Sequence, residues 1–396
     1  MSRLTPSTPV GVLGAGAMGT GIAQVAATKG HPVVVVDAAA EALVRSREAI
    51  ERGLRREVEK KRLDEARAAE ILGRVHFAGR SGAGGMDGFR ECGLVIEAIV
   101  ERLEAKRESF AALERAVSHE CTLATNTSSL SISSIAAACE RPERVLGVHF
   151  FNPATVMPLV EIIPGVASAA DVVEETRSLV DGWGKTTVVA ADTPGFIVNR
   201  VARPIYGESL HMLEEGIADA PMIDWAMREI GGFRMGPFEL MDFIGHDVNF
   251  AVTKSVFEGL FYDPRYRPSL IQQRLVEAGR LGRKTGRGFY DYRAGVQTPS
   301  PVADRALGQA LVDRVVAMLI NEAADAVRLG IATPRDVDLA MTKGVNYPRG
   351  LLAWADELGV AEVLRRLVAL QEEYGEDRYR PSPLLRRMAR EGGRFF

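Results

Sequence analysis

One six-residue turn constrains this chain more than any other feature: Gly14-Ala15-Gly16-Ala17-Met18-Gly19, set between the apolar run VGVLG and an alanine-rich segment that reaches Gly30. It reads as strand, glycine turn, helix. The glycines permit a tight turn and close approach of a pyrophosphate, whose charge is stabilised by the N–H groups at the start of the helix. The next run, VVVV, ends at Asp37, 18 residues after Gly19. A carboxylate there can accept hydrogen bonds from both hydroxyls of an adenosine ribose. A 2′-phosphate would meet a like charge at Asp37 with no arginine immediately beside it, so the pattern predicts NAD rather than NADP. The candidate nucleotide residues are Gly14, Gly16, Met18, Gly19 and Asp37.

Continuous apolar strands suit a parallel sheet covered on both faces. Further strand candidates are LVIEAI (94–99), TLATN (122–126), VLGVHFF (145–151), PLVEII (158–163) and TTVVA (186–190), with helical stretches between several of them. This alternation predicts a doubly wound α/β sheet of Rossmann type ending near Ala191. Within it, Glu41 to about Leu72 is charged throughout at mostly helical spacing and predicts a solvated helix or helix pair.

Past this point the strand signals cease, and Asp192-Thr193-Pro194 reads as an N-cap and early-turn proline opening a helix. The remainder reads as all-α and repeats itself. Residues 200–245 align without gaps on 314–359 at an offset of 114, with twelve identities in 46 positions, among them Arg200/Arg314, Glu208/Glu322, Asp224/Asp338 and Asp242/Asp356. Two copies of one helical unit follow, joined by a linker near 293–301. The expected domains are 1–191, 192–296 and 297–396. With 396 residues, more than one core is expected in any case.

Lys plus Arg number 49 against 52 Asp plus Glu, for a net charge of −3, so global charge does not attract nucleic acid. No apolar run is long enough to span a bilayer. Cys92, Cys121 and Cys139 are too few and too unpatterned for a disulfide framework or a zinc site, and no metal is expected. Nine residues precede the first strand, too few for a leader, which predicts a cytoplasmic protein.

A second constellation lies at the carboxyl ends of the later strands, where open α/β sheets bind ligands: Asn126-Thr127-Ser128-Ser129, His149-Phe150-Phe151-Asn152-Pro153 and Glu161. Oxidising an alcohol requires loss of the hydroxyl proton as hydride leaves, and histidine titrates nearest neutral pH. A carboxylate on its other ring nitrogen, which Glu161 could supply from an adjoining strand, fixes the tautomer and stabilises the imidazolium.

The segments GVLGAGAMGTGIA, VIEAIVE, NTSSL, GVHFFNP, DTPGFIVNR, MGPFELMDFIG and GRKTGRGFYDY together resemble the L-3-hydroxyacyl-CoA dehydrogenases, collinearly from about 9 to 292. The resemblance implies NAD-dependent, reversible oxidation of an (S)-3-hydroxyacyl-CoA to the 3-oxoacyl-CoA, in fatty-acid β-oxidation, butanoate or phenylacetate-type catabolism. It implies His149 as general base, Glu161 as its orienting partner, and Ser128 and Asn199 at the substrate oxygen. On the cofactor side it implies Asp37 at the ribose and Glu101, Lys106, Ser128 and Asn152 near the nicotinamide. Lys284 would reach the cofactor site from the helical region.

For coenzyme A it implies Lys60, on one helical face with Arg52 and Arg56, while Gly53 stands where the family has a serine. Ser128 would also touch the acyl-CoA. The second helical copy has Asp313 where the first has Asn199 and predicts no second site, but either a monomer with an internal pseudo-dimer of helical domains or a homodimer. Two other readings remain open at the level of sequence: a dehydrogenase of a CoA-free hydroxy acid, and a catalytically silent NAD-binding protein.

Overall fold

A computed structural model of the protein describes residues 4–5, 7–79, 86–297 and 299–396. Positions 1–3 and 6 of the N-terminal segment, and position 298 of the expected linker, lie outside the described residues. The chain divides into two units, Met1–Thr193 and Pro194–Phe396.

The first unit runs β1 (Val10–Leu13), α1 (Ala17–Thr28), β2 (Val33–Asp37), α2 (Ala40–Glu59), α3 (Glu65–Gly73), β3 (Val75–Gly79), β4 (Leu94–Glu97), α4 (Leu103–Ala116), β5 (Thr122–Thr125), α5 (Ile132–Ala136), β6 (Val145–Phe150), β7 (Leu159–Pro164), α6 (Ala170–Gly182) and β8 (Thr186–Val189). The sheet order is β3-β2-β1-β4-β5-β6-β7-β8. Its apolar strands are buried on both faces: one core cluster unites β1, β2 and β4 with α1–α3, and a second packs α4 and α5 on the other side. The order reverses beside β1, which pairs with both β2 and β4, so the glycine turn opens at the topological switch point.

Two expectations are corrected here. The sheet is not wholly parallel, because β7 pairs antiparallel with β6, and β8 runs parallel to β7. Only residues 151–158 separate β6 from β7, too few for the crossover that a parallel return requires. The carboxylate of Asp192 does not cap the helix that follows it. It accepts hydrogen bonds from the amides of Ile132 and Ser133 at 2.9 and 2.8 Å, at the start of α5. Gly195 and Phe196 then adopt left-handed conformations, with φ of +79° and +47°, which postpone the helix to Val198.

The second unit is all helical: α7 (Val198–Val201), α8 (Arg203–Glu214), α9 (Ala220–Glu229), α10 (Pro237–Ile244), α11 (His246–Gly259), α12 (Leu270–Glu277), α13 (Arg305–Arg328), α14 (Pro334–Gly344), α15 (Leu351–Leu358), α16 (Val360–Tyr374) and α17 (Pro383–Glu391). Positions 114 apart make equivalent bonds. Asp224 accepts the amides of Phe238 and Glu239 at the start of α10, and Asp338 accepts those of Leu352 and Ala353 at the start of α15. Gly236 and Gly350 are glycine because a Cβ at either would overlap that aspartate.

The halves also exchange partners across the unit. Arg200 donates to Glu322 at 2.6 Å, and Arg314 donates to Glu208 at 2.9 Å. Tyr266 and Tyr379 join the same two carboxylates. These tyrosines sit in a further match outside the ungapped alignment: Arg265-Tyr266-Arg267-Pro268-Ser269 recurs as Arg378-Tyr379-Arg380-Pro381-Ser382, one residue out of register with the offset of 114.

Candidate active site

The glycine turn is dictated by space. Gly14 has φ +108°, and a Cβ there would lie 2.6 Å from the carbonyl oxygen of Ala98; one on Gly19 would lie 1.9 Å from that of Gly14. Gly16, by contrast, is exposed and would meet nothing, and as the N-cap of α1 it offers no side chain to the first amides of the helix. Met18 is half-buried in the first turn. Asp37, at the end of β2, accepts from the amide of Ala15 at 2.7 Å and from that of Ala39 at 2.9 Å. A carboxylate fixed against a backbone turn with unclaimed helix amides fits the ribose and pyrophosphate of NAD.

His149 and Glu161 lie directly opposite each other in the β6–β7 register. The Nδ1–H of His149 donates to Oε2 of Glu161 at 2.7 Å, with Glu161 fully buried and His149 6% exposed. That bond places the proton on Nδ1 and makes Nε2 the basic nitrogen. The ring of Phe151 packs 4.6 Å from the imidazole, and Asn126 Oδ1 accepts the amide of Phe150 at 2.8 Å, fixing the end of β6. Asn152 is exposed beyond it, ahead of a cis peptide bond to Pro153.

Glu101 organises the neighbouring turn. Its Oε1 accepts from the Thr127 hydroxyl at 2.6 Å, the Ser128 amide at 2.8 Å and the Ser129 amide at 3.1 Å, while Lys106 lies 3.3 Å from Oε2. Burial opposes its ionisation, but the Lys106 ammonium and these donors hold its carboxyl below the usual range. Lys106 is itself buried and donates at 2.7 Å to Glu97, a fully buried carboxylate that also accepts from Thr125 and the Ile99 amide. Sequence reasoning passed over Glu97, which stood in an apolar strand; the signal was that charge, nine residues from a lysine.

A groove of about 730 Å³ opens beside α1 and α2 and is lined by Lys29, Arg56, Lys60, Arg62, Lys185 and Trp183, among others. Arg56 and Lys60 therefore do share a face. Arg52 does not join them and pairs with Glu48 at 3.4 Å. Lys29, Arg62 and Lys185 were not found from sequence, because they come from three separate segments. Gly53 faces α1, where a Cβ would come within 3.1 Å of the Gln24 side chain. In the second unit, Asn199 is half-buried on α7, and Lys284 is paired with Asp247 at 2.5 Å.

Residues 9–193 match the family model of the 3-hydroxyacyl-CoA dehydrogenase NAD-binding domain, and 195–292 with 311–394 match that of its C-terminal domain. The chain belongs to the 3-hydroxyacyl-CoA dehydrogenase family.

Among similar members, a 3-hydroxyadipyl-CoA dehydrogenase of Escherichia coli is 41% identical, aligned over 96% of this chain and 97% of its own. A 3-hydroxybutyryl-CoA dehydrogenase of Bradyrhizobium diazoefficiens is 43% identical over 74% of this chain and 97% of its own. A crystal structure of a 3-hydroxybutyryl-CoA dehydrogenase from Escherichia coli K12 superposes with a TM-score of 0.92 at 40% identity, covering 98% of this chain and 99% of that one. In this dehydrogenase chain, no helix among the described residues is long and apolar enough to cross a membrane.

Proposed function

We propose that the protein oxidises an (S)-3-hydroxyacyl-CoA to the 3-oxoacyl-CoA, reversibly and with NAD, and that His149 is the general base. The observation that carries this reading is the buried His149–Glu161 pair, at 2.7 Å, in a unit whose first turn is built for a dinucleotide. NAD supplies the hydride acceptor. Nε2 of His149 takes the hydroxyl proton as the C3 hydride leaves, and Glu161 stabilises the resulting imidazolium through Nδ1.

Ser128, set by Glu101, and Asn199 hold the substrate oxygen. Asp37 holds the ribose, with Gly14, Gly16, Met18 and Gly19 at the pyrophosphate, and Glu101, Lys106, Asn152 and Lys284 serve the cofactor end. Arg56 and Lys60, in a groove with three further cations, suit the phosphates of coenzyme A. The reading includes three domains, 1–191, 192–296 and 297–396, a cytoplasmic location, and a monomer whose helical halves pair within one chain.

The test is His149→Ala. Turnover of acetoacetyl-CoA with NADH should fall by about 10²–10⁴, the usual contribution of a general base, while NADH binding followed by fluorescence persists. A variant that keeps turnover within a few-fold of wild type would remove His149 from the role. Equal activity on free acetoacetate would instead point to a CoA-free substrate.

A further inference from the structure

Six arginines among the described residues are more than nine-tenths buried: Arg144, Arg200, Arg203, Arg265, Arg314 and Arg378. Five of them hold a carboxylate: Arg144 with Glu114 at 3.3 Å, Arg200 with Glu322 at 2.6 Å, Arg265 with Asp325 at 2.8 Å, Arg314 with Glu208 at 2.9 Å and Arg378 with Glu215 at 3.2 Å. Arg203 alone has no carboxylate partner among the described residues. It donates to the Thr253 hydroxyl at 3.1 Å, its guanidinium lies 4.7 Å from the centre of the Tyr206 ring, and its Nε bonds to nothing.

Burial disfavours its charge, whereas carboxylates reinforce the charges of Arg200, Arg265 and Arg314. Its counterpart at the offset of 114 is Ala317, so the charge is no part of the architecture that the two halves share. A buried cation left uncompensated is among the costliest features a fold can carry, which points to an anion supplied from outside.

Arg203 lines a narrow cavity along α8 with Tyr206, His211, Arg265, Arg267 and Gln272. Its volume of about 10 Å³ holds one water-sized group, room for a single carboxylate oxygen at the tip of a chain and far too little for a nucleotide. Ala202, between α7 and α8, is itself in the right-handed helical region, so Asn199 and Arg203 stand four residues apart on one helical face. Four residues advance about 6 Å along the axis.

We propose that Arg203 binds the terminal carboxylate of a dicarboxylic acyl group, making a 3-hydroxydicarboxylyl-CoA of six carbons the preferred substrate. This rests on the reading above, in which Asn199 holds the oxygen on C3. From C3 to a carboxylate at C6 there are three carbon–carbon bonds of about 1.5 Å each, and the two oxygens extend that reach to about one helical turn. A guanidinium N–H donates to a carboxylate oxygen in a charge-assisted hydrogen bond, about twice as strong as a neutral one. The Escherichia coli relative bears the name of one such activity, on 3-hydroxyadipyl-CoA.

The test compares kcat/KM for 3-oxoadipyl-CoA and 3-oxohexanoyl-CoA, which has the same length but no carboxylate, in wild type, Arg203→Met and Arg203→Lys. Calorimetric dissociation constants for the two thioesters accompany the rates. Wild type should favour the dicarboxylic thioester about 10–100-fold, the worth of a charged hydrogen-bonded pair. Arg203→Met should bring that ratio close to one, through KM and the dissociation constant, and Arg203→Lys should restore part of it.

A wild-type ratio near one overturns the proposal, as does a Met variant that depresses both thioesters equally. Should the Met variant fail to fold, the wild-type ratio and the Lys variant still decide. Failure of the dehydrogenase reading itself looks different: wild type would then reduce neither thioester.

Discussion

The two halves of the helical unit agree in how they are held and differ in what they could do. Glu208 and Glu322, Arg200 and Arg314, Asp224 and Asp338 make the same bonds in each half. Asp242 and Asp356 do likewise: the first accepts the amides of Phe289 and Tyr290, the second those of Phe395 and Phe396. The differences fall where chemistry is proposed. Asn199 is answered by Asp313, which is tied to Arg366 at 3.0 Å and Gln309 at 2.8 Å. Arg203 is answered by Ala317, and the loop carrying Lys284 has no counterpart in the shorter end of the second half. The helix differs too. Residues 305–313 form the first turns of α13, where the first half has the Pro194-Gly195 break. Groups that hold the halves together have been kept in both, and groups that would meet a ligand occur in one.

The largest test of this comparison is removal of residues 300–396. Arg200 and Tyr266 then lose Glu322, the apolar surface under α13 is exposed, and light scattering should show dimers or aggregates. A soluble, fully active monomer would show the second half to be an appendage. Next come Glu322→Ala, which leaves the buried Arg200 without a carboxylate at a cost of about 3–5 kcal/mol by denaturant unfolding, and Glu208→Ala, which should cost less because Arg314 keeps Glu215 at 2.8 Å. Glu322 should cost more, since it serves both Arg200 and Arg265. Equal losses, or losses under 1 kcal/mol, would show that the exchange of partners is not what joins the halves.

Asn199→Asp should lower kcat/KM by about 10²–10³, as when a donor to a developing oxyanion is lost, whereas Asp313→Asn should change it less than about threefold. Similar effects at both positions would erase the distinction between the halves.

The narrowest test concerns Asp224, whose carboxyl is pushed up to about 7 by burial, against the hydrogen bonds from Tyr290 and the α10 amides. The folded protein therefore holds a proton that the unfolded chain, titrating near 4, has released. This contribution is present below pH ~4 and lost as pH rises through about 7, with a slope of at most about 1.4 kcal/mol per pH unit. Asp224→Asn should flatten that part of the stability–pH curve. Asp338→Asn should flatten it less, because Asp338 is raised in the same direction but is only half-buried. Urea midpoints between pH 5 and 8 measure both.

Several parts of the molecule were legible in residue order. The apolar runs at 94, 122, 145, 158 and 186 each became a strand within a residue or two, and the charged stretch after Glu41 became the pair α2 and α3. β3 was missed because VHFAG is short, interrupted by His76 and only part-buried, as suits an edge strand lying beside β2 alone. The reversal of β7 could have been read from the short link before it. The Asp192 cap could not, since local grammar favours a helix at Asp-Thr-Pro and a more distant set of amides claimed the carboxylate. The Arg-Tyr-Arg-Pro-Ser repeat lay beyond a one-residue shift that an ungapped alignment does not cross.

Turn chemistry and periodicity act over a few residues, so residue order was enough to settle the glycine turn, the helical character of the second unit and its duplication. Tertiary structure alone decided which charges meet. His149 and Glu161 are twelve residues apart and come to 2.7 Å only because the β6–β7 register sets them opposite each other. Lys106 joins Glu97 and Glu101 for a similar reason, and Glu322 finds Arg200 from 122 positions away. A side chain's type announces a charge, but its partner is chosen by whichever group packing brings within hydrogen-bonding distance in a medium that punishes an unpaired one. That choice left Arg203 as the one deeply buried arginine among the described residues without a carboxylate, although in the sequence it looks no different from Arg200 three positions before it.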